Sequence, residues 1–517
     1  MGVAKGEVVA LASETRAEFY LADQGVMACG AVAAALYTSL PSAEQARALR
    51  TSGARVAFAE TEASARALGV EGVRWILLSG SAAGYNTLES VCAEGRRILS
   101  VDPAAFERIR GEFDDSDHAI LYMTSGATGE PKMGLVTHRA IVTNLDMGPH
   151  VLPLSAEDST IAFLPSAHIA QRVVVELLPA RDGACVWFSE GLSKLPLEMR
   201  AVKPTFFLAP PRVWERVYSS ILVELRKRPA PVRRLFYLGV GLGSEAARLR
   251  QRGKSVPVWM RAAMRFFDRA LFAKIRERLG GRIRVAVSGA APLSKDLAEF
   301  YAAIGMPLIE GYGLTEGGVA VFNPIDRPKP GSIGKLLPGY EARMEEDGEL
   351  LLRSACLFSG YFNDPAATAA VLRDGWLATG DIAEMDAEGY LYITGRKKEL
   401  IVSSNGKKIY PARIEALLKR EPLISNVLLI GDRMPYVTAL MTVTGGLADA
   451  HSAVEQAVKT ANRELAEFER IRKFKILDRE FSIDLGELTP TMKVRRNRVL
   501  ENHRELVSEM YVGRETV

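Results

Sequence analysis

Short apolar runs alternate with longer stretches of mixed polarity through the first half of this chain. Residues 7–13 and 54–60 read as strands, separated by helical stretches over 16–37 and 43–52. Further buried strands are predicted at 75–78, 119–123, 160–164, 205–209 and 283–288. Repeated strand–helix alternation predicts parallel sheets in an α/β architecture. Most of these runs end in loops bearing Gly, Pro, Ser or Thr. Ligands of open α/β sheets sit beyond the C-terminal ends of strands, where those loops lie.

The pattern changes after residue 340. Runs such as 350–353 and 389–394 are short and apolar, with Gly or Asp turns between them, as in a small β-rich subdomain. The segment GRKKELIVSSNGKKIYP at 395–411 is dense in Lys, Ser and Gly and reads as a linker. Beyond it, 411–420 reads as a helix with proline in its first turn. Residues 426–430, 436–443 and 474–477 read as strands and 453–469 as a long helix. The expected fold is therefore α/β: a large N-terminal domain (1–396) of parallel-rich sheets with helices plus the β-rich subdomain, and a smaller mobile α+β C-terminal domain (397–517). No internal repeat or low-complexity tract stands out.

Composition narrows the class. A chain of 517 residues exceeds one ordinary domain, and 48% hydrophobic with 25% charged residues suits a soluble globular protein. The best apolar segment, 26–37, is too short for a bilayer span and is rich in Ala and Gly. The opening MGVAKGEVVAL lacks a signal-peptide layout, and its Met-Gly start lacks the Ser or Thr at position six that myristoylation favours. Cys29, Cys92, Cys185 and Cys356 are scattered without metal-type spacing, which predicts reduced, buried thiols and a cytoplasmic setting. Six histidines without paired ligand spacing argue against a zinc enzyme.

The net charge of +4 is unevenly spread. Residues 226–284 hold seventeen Lys or Arg and three acidic residues, a local +14, so the remainder is net negative. The same stretch carries Phe236, Tyr237, Trp259, Met260, Phe266, Phe267, Leu271 and Phe272. A basic helix pair with an aromatic stripe suits peripheral contact with an anionic membrane or an amphiphilic anionic substrate, and equally a solvated face over a normal core. No nucleic-acid motif accompanies the charge, so nucleic acid is not expected.

Chemistry concentrates in a few loops. YMTSGATGEPK at 122–132 follows an apolar run: Gly126 and Gly129 allow tight backbone turns, Thr124, Ser125 and Thr128 add hydroxyls, and Lys132 adds positive charge. This is chemistry for gripping a polyphosphate, although the Walker pattern is absent. In EGYGLTE at 310–316, Glu316 stands beside Thr315, where a carboxylate near a phosphate loop would share Mg2+, and Tyr312 offers a flat face for a nucleobase. Asp381 in Thr-Gly-Asp and nearby Arg396 could hold ribose hydroxyls. Lys493 in LTPTMKVRR could reach a phosphate or carboxylate as a point charge. FLPSAHIAQR closes a strand with His168 and Arg172 four apart, on one face if a helix starts there. Each of these alone is as readily an ordinary turn, a solvated cation or a structural histidine. No Ser-His-Asp or Cys-His layout is present. Where ATP activates a carboxylate the substrate is its own nucleophile, and the protein needs positioning and charge neutralisation instead.

Taken together, five motifs in order over residues 6–504 resemble the adenylate-forming superfamily of acyl-CoA synthetases, peptide-synthetase adenylation domains and luciferases. Among these the chain looks most like AMP-forming long-chain fatty acyl-CoA synthetases, on FLPSAHIAQR, KPTFFLAPPRVWERVY, GRKKELIVSSNGKKIYP and LTPTMKVRR. The resemblance implies a phosphate loop from Thr124 to Lys132, Mg2+ ligands in Thr124 and Glu316, and an adenine site lined by Gly289, Ala290 and Tyr312. It implies a ribose pair in Asp381 and Arg396, an α-phosphate contact in Thr315, and a bridging lysine in Lys493. His168 would border the acyl carboxylate. Lys398 would be a hinge about which the small domain rotates, withdrawing Lys493 and bringing the 403–408 loop with Gly406 to a CoA thioester site. ATP, Mg2+, CoA and a fatty acid are the implied ligands; loading of an acyl carrier protein and a non-catalytic nucleotide- or lipid-binding paralogue are the alternatives.

Three departures stand against the resemblance. Ala127 replaces a Thr or Ser, Met133-Gly134 reverses the usual Gly-then-apolar order, and the chain opens near a segment that relatives reach only after several dozen residues. The last departure implies that a strand and helices which normally pack on the large domain are missing.

Overall fold

The computed structural model describes residues 2–124, 132–444, 447–489 and 491–512. Its largest sheet has eight strands in the order Gly360–Tyr361, Met133–Thr137, His118–Met123, Val32–Ala35, Val8–Ala12, Val56–Ala59, Arg74–Leu77, Asn86–Thr87. Pairing is parallel from His118–Met123 through to the Asn86–Thr87 edge, and antiparallel at the other two strands. A second sheet sets Phe206–Ala209, Val285–Ser288 and Leu308–Leu314 in parallel, then adds two antiparallel strands. One continuous apolar core joins both sheets. The β-rich subdomain is an antiparallel sheet built on Glu341–Met344, Glu349–Arg353, Trp376–Met385 and Leu391–Arg396.

From Ile401 onward the chain builds two cores of its own, around a sheet of Ile424–Ile430, Val437–Val443 and Ile471–Ile476. The Leu447–Glu464 helix runs alongside this sheet. Arg420 reaches across to Asp296 at 2.6 Å, so the smaller unit rests on the larger.

Three expectations need correction. The stretch 16–37 is not helical throughout: a helix covers Ala17–Ala28, and Val32–Ala35 is a fully buried central strand. Alanines carry a high intrinsic helix propensity, but ladder bonding on both sides of this strand overrides it. Next, 395–411 is not simply a linker, because it ends one strand at Arg396 and then forms the Ile401–Val402/Lys408–Ile409 hairpin. Finally, three of the four free thiols are exposed; only Cys356 is buried. Cys29 lies at a helix C-terminus, and Cys92 lies on a helix that buries none of its residues.

Candidate active site

Two strand ends open the site. Val285–Ser288 runs parallel to Leu308–Leu314, so the turn at Gly289 comes beside Gly311: a Cβ built on Gly289 would lie 3.6 Å from the Gly311 carbonyl oxygen. Ala290 takes up a left-handed backbone (φ 68°) that non-glycine residues seldom adopt, an observed strain at a loop aimed at the site. Behind it, buried Glu310 accepts a hydrogen bond from the Leu293 N–H at 3.0 Å and ties this loop to its strand. Burial raises the Glu310 pKa to about 8, with the Leu293 N–H opposing, so the side chain is largely neutral at physiological pH.

Tyr312 donates to Asp381 at 2.6 Å, and Arg396 donates to the other oxygen of that carboxylate at 2.6 Å. Asp381 and Arg396 are direct cross-strand partners, so the hairpin register sets their pairing. Burial works against the Arg396 charge, but Asp381 outweighs it and holds the guanidinium pKa above its ordinary value. Burial, with Asp381 next, pushes the Tyr312 hydroxyl well up, so the phenol stays protonated and donates.

The ends of the predicted phosphate loop are pinned to each other. The Thr124 N–H donates to the Lys132 carbonyl at 2.8 Å, and the Lys132 N–H donates to Thr124 Oγ1 at 3.0 Å. Ser125, Gly126, Ala127, Thr128 and Gly129 lie outside the described residues. The Met133-Gly134 departure has a local reason. A Cβ on Gly134 would meet the Phe358 ring at 3.3 Å and the Thr315 methyl at 3.5 Å, so this strand lies close against the Thr315–Glu316 turn.

Glu316 accepts a hydrogen bond from the Tyr361 hydroxyl at 2.6 Å, and the Lys132 ammonium sits 4.7 Å above the Tyr361 ring. Sequence reading missed Tyr361. It follows an unremarkable Gly in the Gly360–Tyr361 edge strand, and only pairing with Met133–Thr137 carries it to Glu316.

Lys493 arrives from the smaller domain on a tight turn, with its own N–H bonded to Thr489 Oγ1 at 3.0 Å. Its pKa falls to about 8. Burial is the first cause and the Arg396 charge the second, with Asp381, Glu399 and Glu316 pulling the other way. The ammonium is thus within electrostatic reach of Arg396, Asp381, Glu399 and Glu316, yet among the described residues it holds no ion pair. His168 faces the same space. Burial, and then Lys493, depress its pKa to about 3, so the ring is neutral. Its Nδ1 accepts from the Ala170 N–H at 3.2 Å, which leaves the proton on Nε2, free to donate.

Two residues of the motifs, Arg172 beside His168 and the predicted Gly406, fall elsewhere. Arg172 follows His168 on the helical stretch, but it turns inward and pairs with Asp23, fully buried. Gly406 lies in an exposed turn (φ 72°) bonded to Ser403, and the contacts of its loop stay within the smaller domain. Among the described residues, no group of three or more His, Cys, Asp or Glu could hold a metal unaided.

The family of AMP-binding enzymes matches residues 1–362, and its C-terminal domain matches residues 398–515. The chain belongs to the AMP-binding enzyme family. It is 36% identical over 546 aligned positions to the long-chain-fatty-acid–CoA ligase FadD15 of Mycobacterium tuberculosis, covering 99% of this chain and 89% of that one. The long-chain-fatty-acid–CoA ligase ACSBG2 of Rattus norvegicus is 29% identical, over 76% of this chain and 67% of that one. Among solved structures, the anthranilate CoA ligase AuaEII in complex with anthranoyl-AMP matches with a TM-score of 0.74 at 20% identity, over 98% of this chain and 89% of that one. The adenylation domain of a carboxylate reductase from Mycobacterium chelonae matches with a TM-score of 0.75 at 21% identity, over 99% and 81%. At such identities the solved structures establish the shared fold.

Proposed function

We propose that this protein is an AMP-forming acid–thiol ligase that activates a long-chain fatty acid with ATP and transfers the acyl group to CoA. The observation that carries this reading is the Lys493 ammonium, which the smaller domain brings within electrostatic reach of Arg396, Asp381 and Glu316 and which holds no ion pair among the described residues. Lys132 likewise holds no carboxylate among the described residues, only the Tyr361 face. Two ammonium groups lacking anions suit an anionic polyphosphate and a substrate carboxylate meeting between them. The names of the FadD15 and ACSBG2 relatives support the long chain and the CoA acceptor.

The residues then divide the work. Asp381, held by Arg396 and Tyr312, is oriented to accept from ribose hydroxyls, and Tyr312 and the 289–290 turn line the base. Lys493 spans the fatty acid carboxylate and the α-phosphate and stabilises charge where they join. Neutral His168 donates from Nε2 to a carboxylate oxygen. Attack of that carboxylate on the α-phosphorus forms the acyl–AMP bond and expels pyrophosphate. The CoA thiol then attacks the acyl carbon, losing its proton, and AMP leaves. Thr124 and Glu316 fit an Mg2+ that travels with the nucleotide. Each offers one oxygen, the phosphates would supply others, and the metal would neutralise phosphate charge.

We place the hinge at the Lys397–Glu399 turn. Lys397 is anchored on the large-domain carboxylates Asp347 and Glu349 at 2.5 and 2.8 Å. Rotation there would exchange Lys493 for the Gly406 loop between the two half-reactions, within a cytoplasmic enzyme.

The test is exchange of labelled pyrophosphate into ATP across acids of increasing length, with Lys493→Ala in parallel. Exchange that peaks at long chains and falls about 10²- to 10³-fold in the variant is expected, the cost of removing one preorganised charge donor. Thioester formation with CoA, and none with a carrier-protein phosphopantetheine, completes the assignment. Folded protein that exchanges with no acid would overturn it.

A further inference from the structure

The basic stretch folds into helices that the proposed reaction does not use. The Ala230–Gln251 helix packs on the Lys295–Ala303 helix, and the Val258–Phe267 helix is fastened to it where the Phe267 ring fits against Gly239. A Cβ at Gly239 would come to 2.7 Å of that ring, so the two helices meet closely. Met260 and Phe267 face inward and are buried.

The outer side of the Val258–Phe267 helix is unusual. Val258, Trp259 and Phe266 are 72%, 61% and 59% exposed, and Trp259 and Phe266 stand two turns apart on one side. Arg261 and Arg265 stand four apart on the adjoining arc, Arg269 follows in the Asp268–Phe272 segment that continues the helix, and all three are exposed. Of the seventeen cations in 226–284, four (Lys227, Arg248, Arg276 and Arg284) hold an acidic partner among the described residues, so most of the charge is uncompensated there. The exposed side of this helix thus carries large apolar rings along one flank and, on the arc beside them, guanidinium groups that hold no acidic partner among the described residues.

We propose that this face docks the protein on an anionic lipid surface. Trp259 and Phe266 enter the headgroup boundary while Arg261, Arg265 and Arg269 meet lipid phosphates. An anionic bilayer satisfies both features at once, since it buries rings at the level where Trp is favoured and supplies diffuse negative charge. A second copy of this chain does not, because a two-fold interface would set the same arginines against themselves. Nucleic acid would pair the charge but leave the apolar rings exposed. No described helix is long and apolar enough to cross a membrane, so the contact is peripheral. The inference leans on the long-chain ligase reading only for its purpose, access to a substrate that partitions into bilayers. Binding itself is measured without turnover.

The experiment is co-sedimentation of the full chain with phosphatidylcholine vesicles and with equimolar phosphatidylcholine–phosphatidylglycerol vesicles, at low salt and at high salt. Binding that requires the anionic lipid and weakens as salt rises is expected. Replacing one of the three arginines by serine should weaken it about fivefold per cation. The W259S/F266S double variant should lose binding and the emission shift that accompanies it. The R261E/R265E variant provides a second route to the same loss. All these side chains are exposed, so melting temperatures should hold. Equal binding to both vesicle types, no binding to either, or binding unchanged in both double variants would overturn the proposal. Failure of pyrophosphate exchange leaves this readout intact, and failure of vesicle binding leaves the ligase reading intact.

Discussion

Two of the Arg–Asp pairs in the large domain are built in opposite ways. Arg396 pairs with Asp381 while its side chain stays 48% exposed; Arg172 pairs with Asp23 with both side chains fully sealed. The open pair has a carboxylate fixed from two sides, by Tyr312 and Arg396, and a guanidinium still accessible to solvent. The sealed pair is surrounded by Glu176, Gln171, Tyr20 and Tyr122. Burial lifts the carboxyls of both Glu176 and Asp23. Arg172 counters this at Asp23, so the negative charge rests on Asp23 and Glu176 keeps a proton. The same ion pair thus stays open to solvent when one partner faces the cleft and is a fastening when neither does. Arg172 ties the Ala17–Ala28 helix to the segment that follows His168.

The comparison can be broken most forcefully at the sealed pair. Arg172→Met should lower stability by about 3–5 kcal/mol, because it strands two buried carboxyls. Thermal denaturation measures this. Asp23→Asn should cost clearly less, since Glu176 can release its proton and become the counterion. Equal losses in the two variants would refute the shared-proton arrangement. At the open pair the pattern should invert. Asp381→Asn leaves melting little changed but raises KM for ATP by about ten- to a hundredfold, the loss of charge-assisted hydrogen bonds, read by steady-state kinetics.

The smallest effect concerns Glu310. Its folded pKa lies above its unfolded one, so its contribution to stability is fully present below about pH 4.5 and is lost as pH rises through about 8. Melting temperature should therefore fall between pH 5 and 8, and Glu310→Gln should flatten that slope. A variant with the same slope would show that other groups set it.

Much of the fold was legible because local signals agreed. The strands at 8–12, 56–59, 118–123, 206–209 and 285–288 are short apolar runs bounded by turns, and they pair as strand–helix alternation requires. The 32–35 strand was hidden because its alanines carry no strand signature; only its place between two neighbours makes it one. Within the site, Thr124, Lys132, Thr315, Glu316, Asp381, Arg396 and Lys493 stood out as chemistry in loops. Tyr361 and Glu310 did not, since a tyrosine after glycine and a glutamate in an apolar strand have many ordinary explanations.

By itself the sequence determined the class of chemistry. It holds a Gly- and hydroxyl-rich loop, carboxylate-bearing loops and a late lysine in a fixed order, with residue types whose charge and hydrogen-bonding capacity are intrinsic. It could not say which arginine stays open to solvent. Arg172 and Arg396 are chemically identical, and what separates them is solvent access. Access depends on Asp23, 149 residues from Arg172, and on the hairpin that pairs Asp381 with Arg396. The tertiary structure alone decided that, because the dielectric surroundings of a charge belong to its neighbours in space.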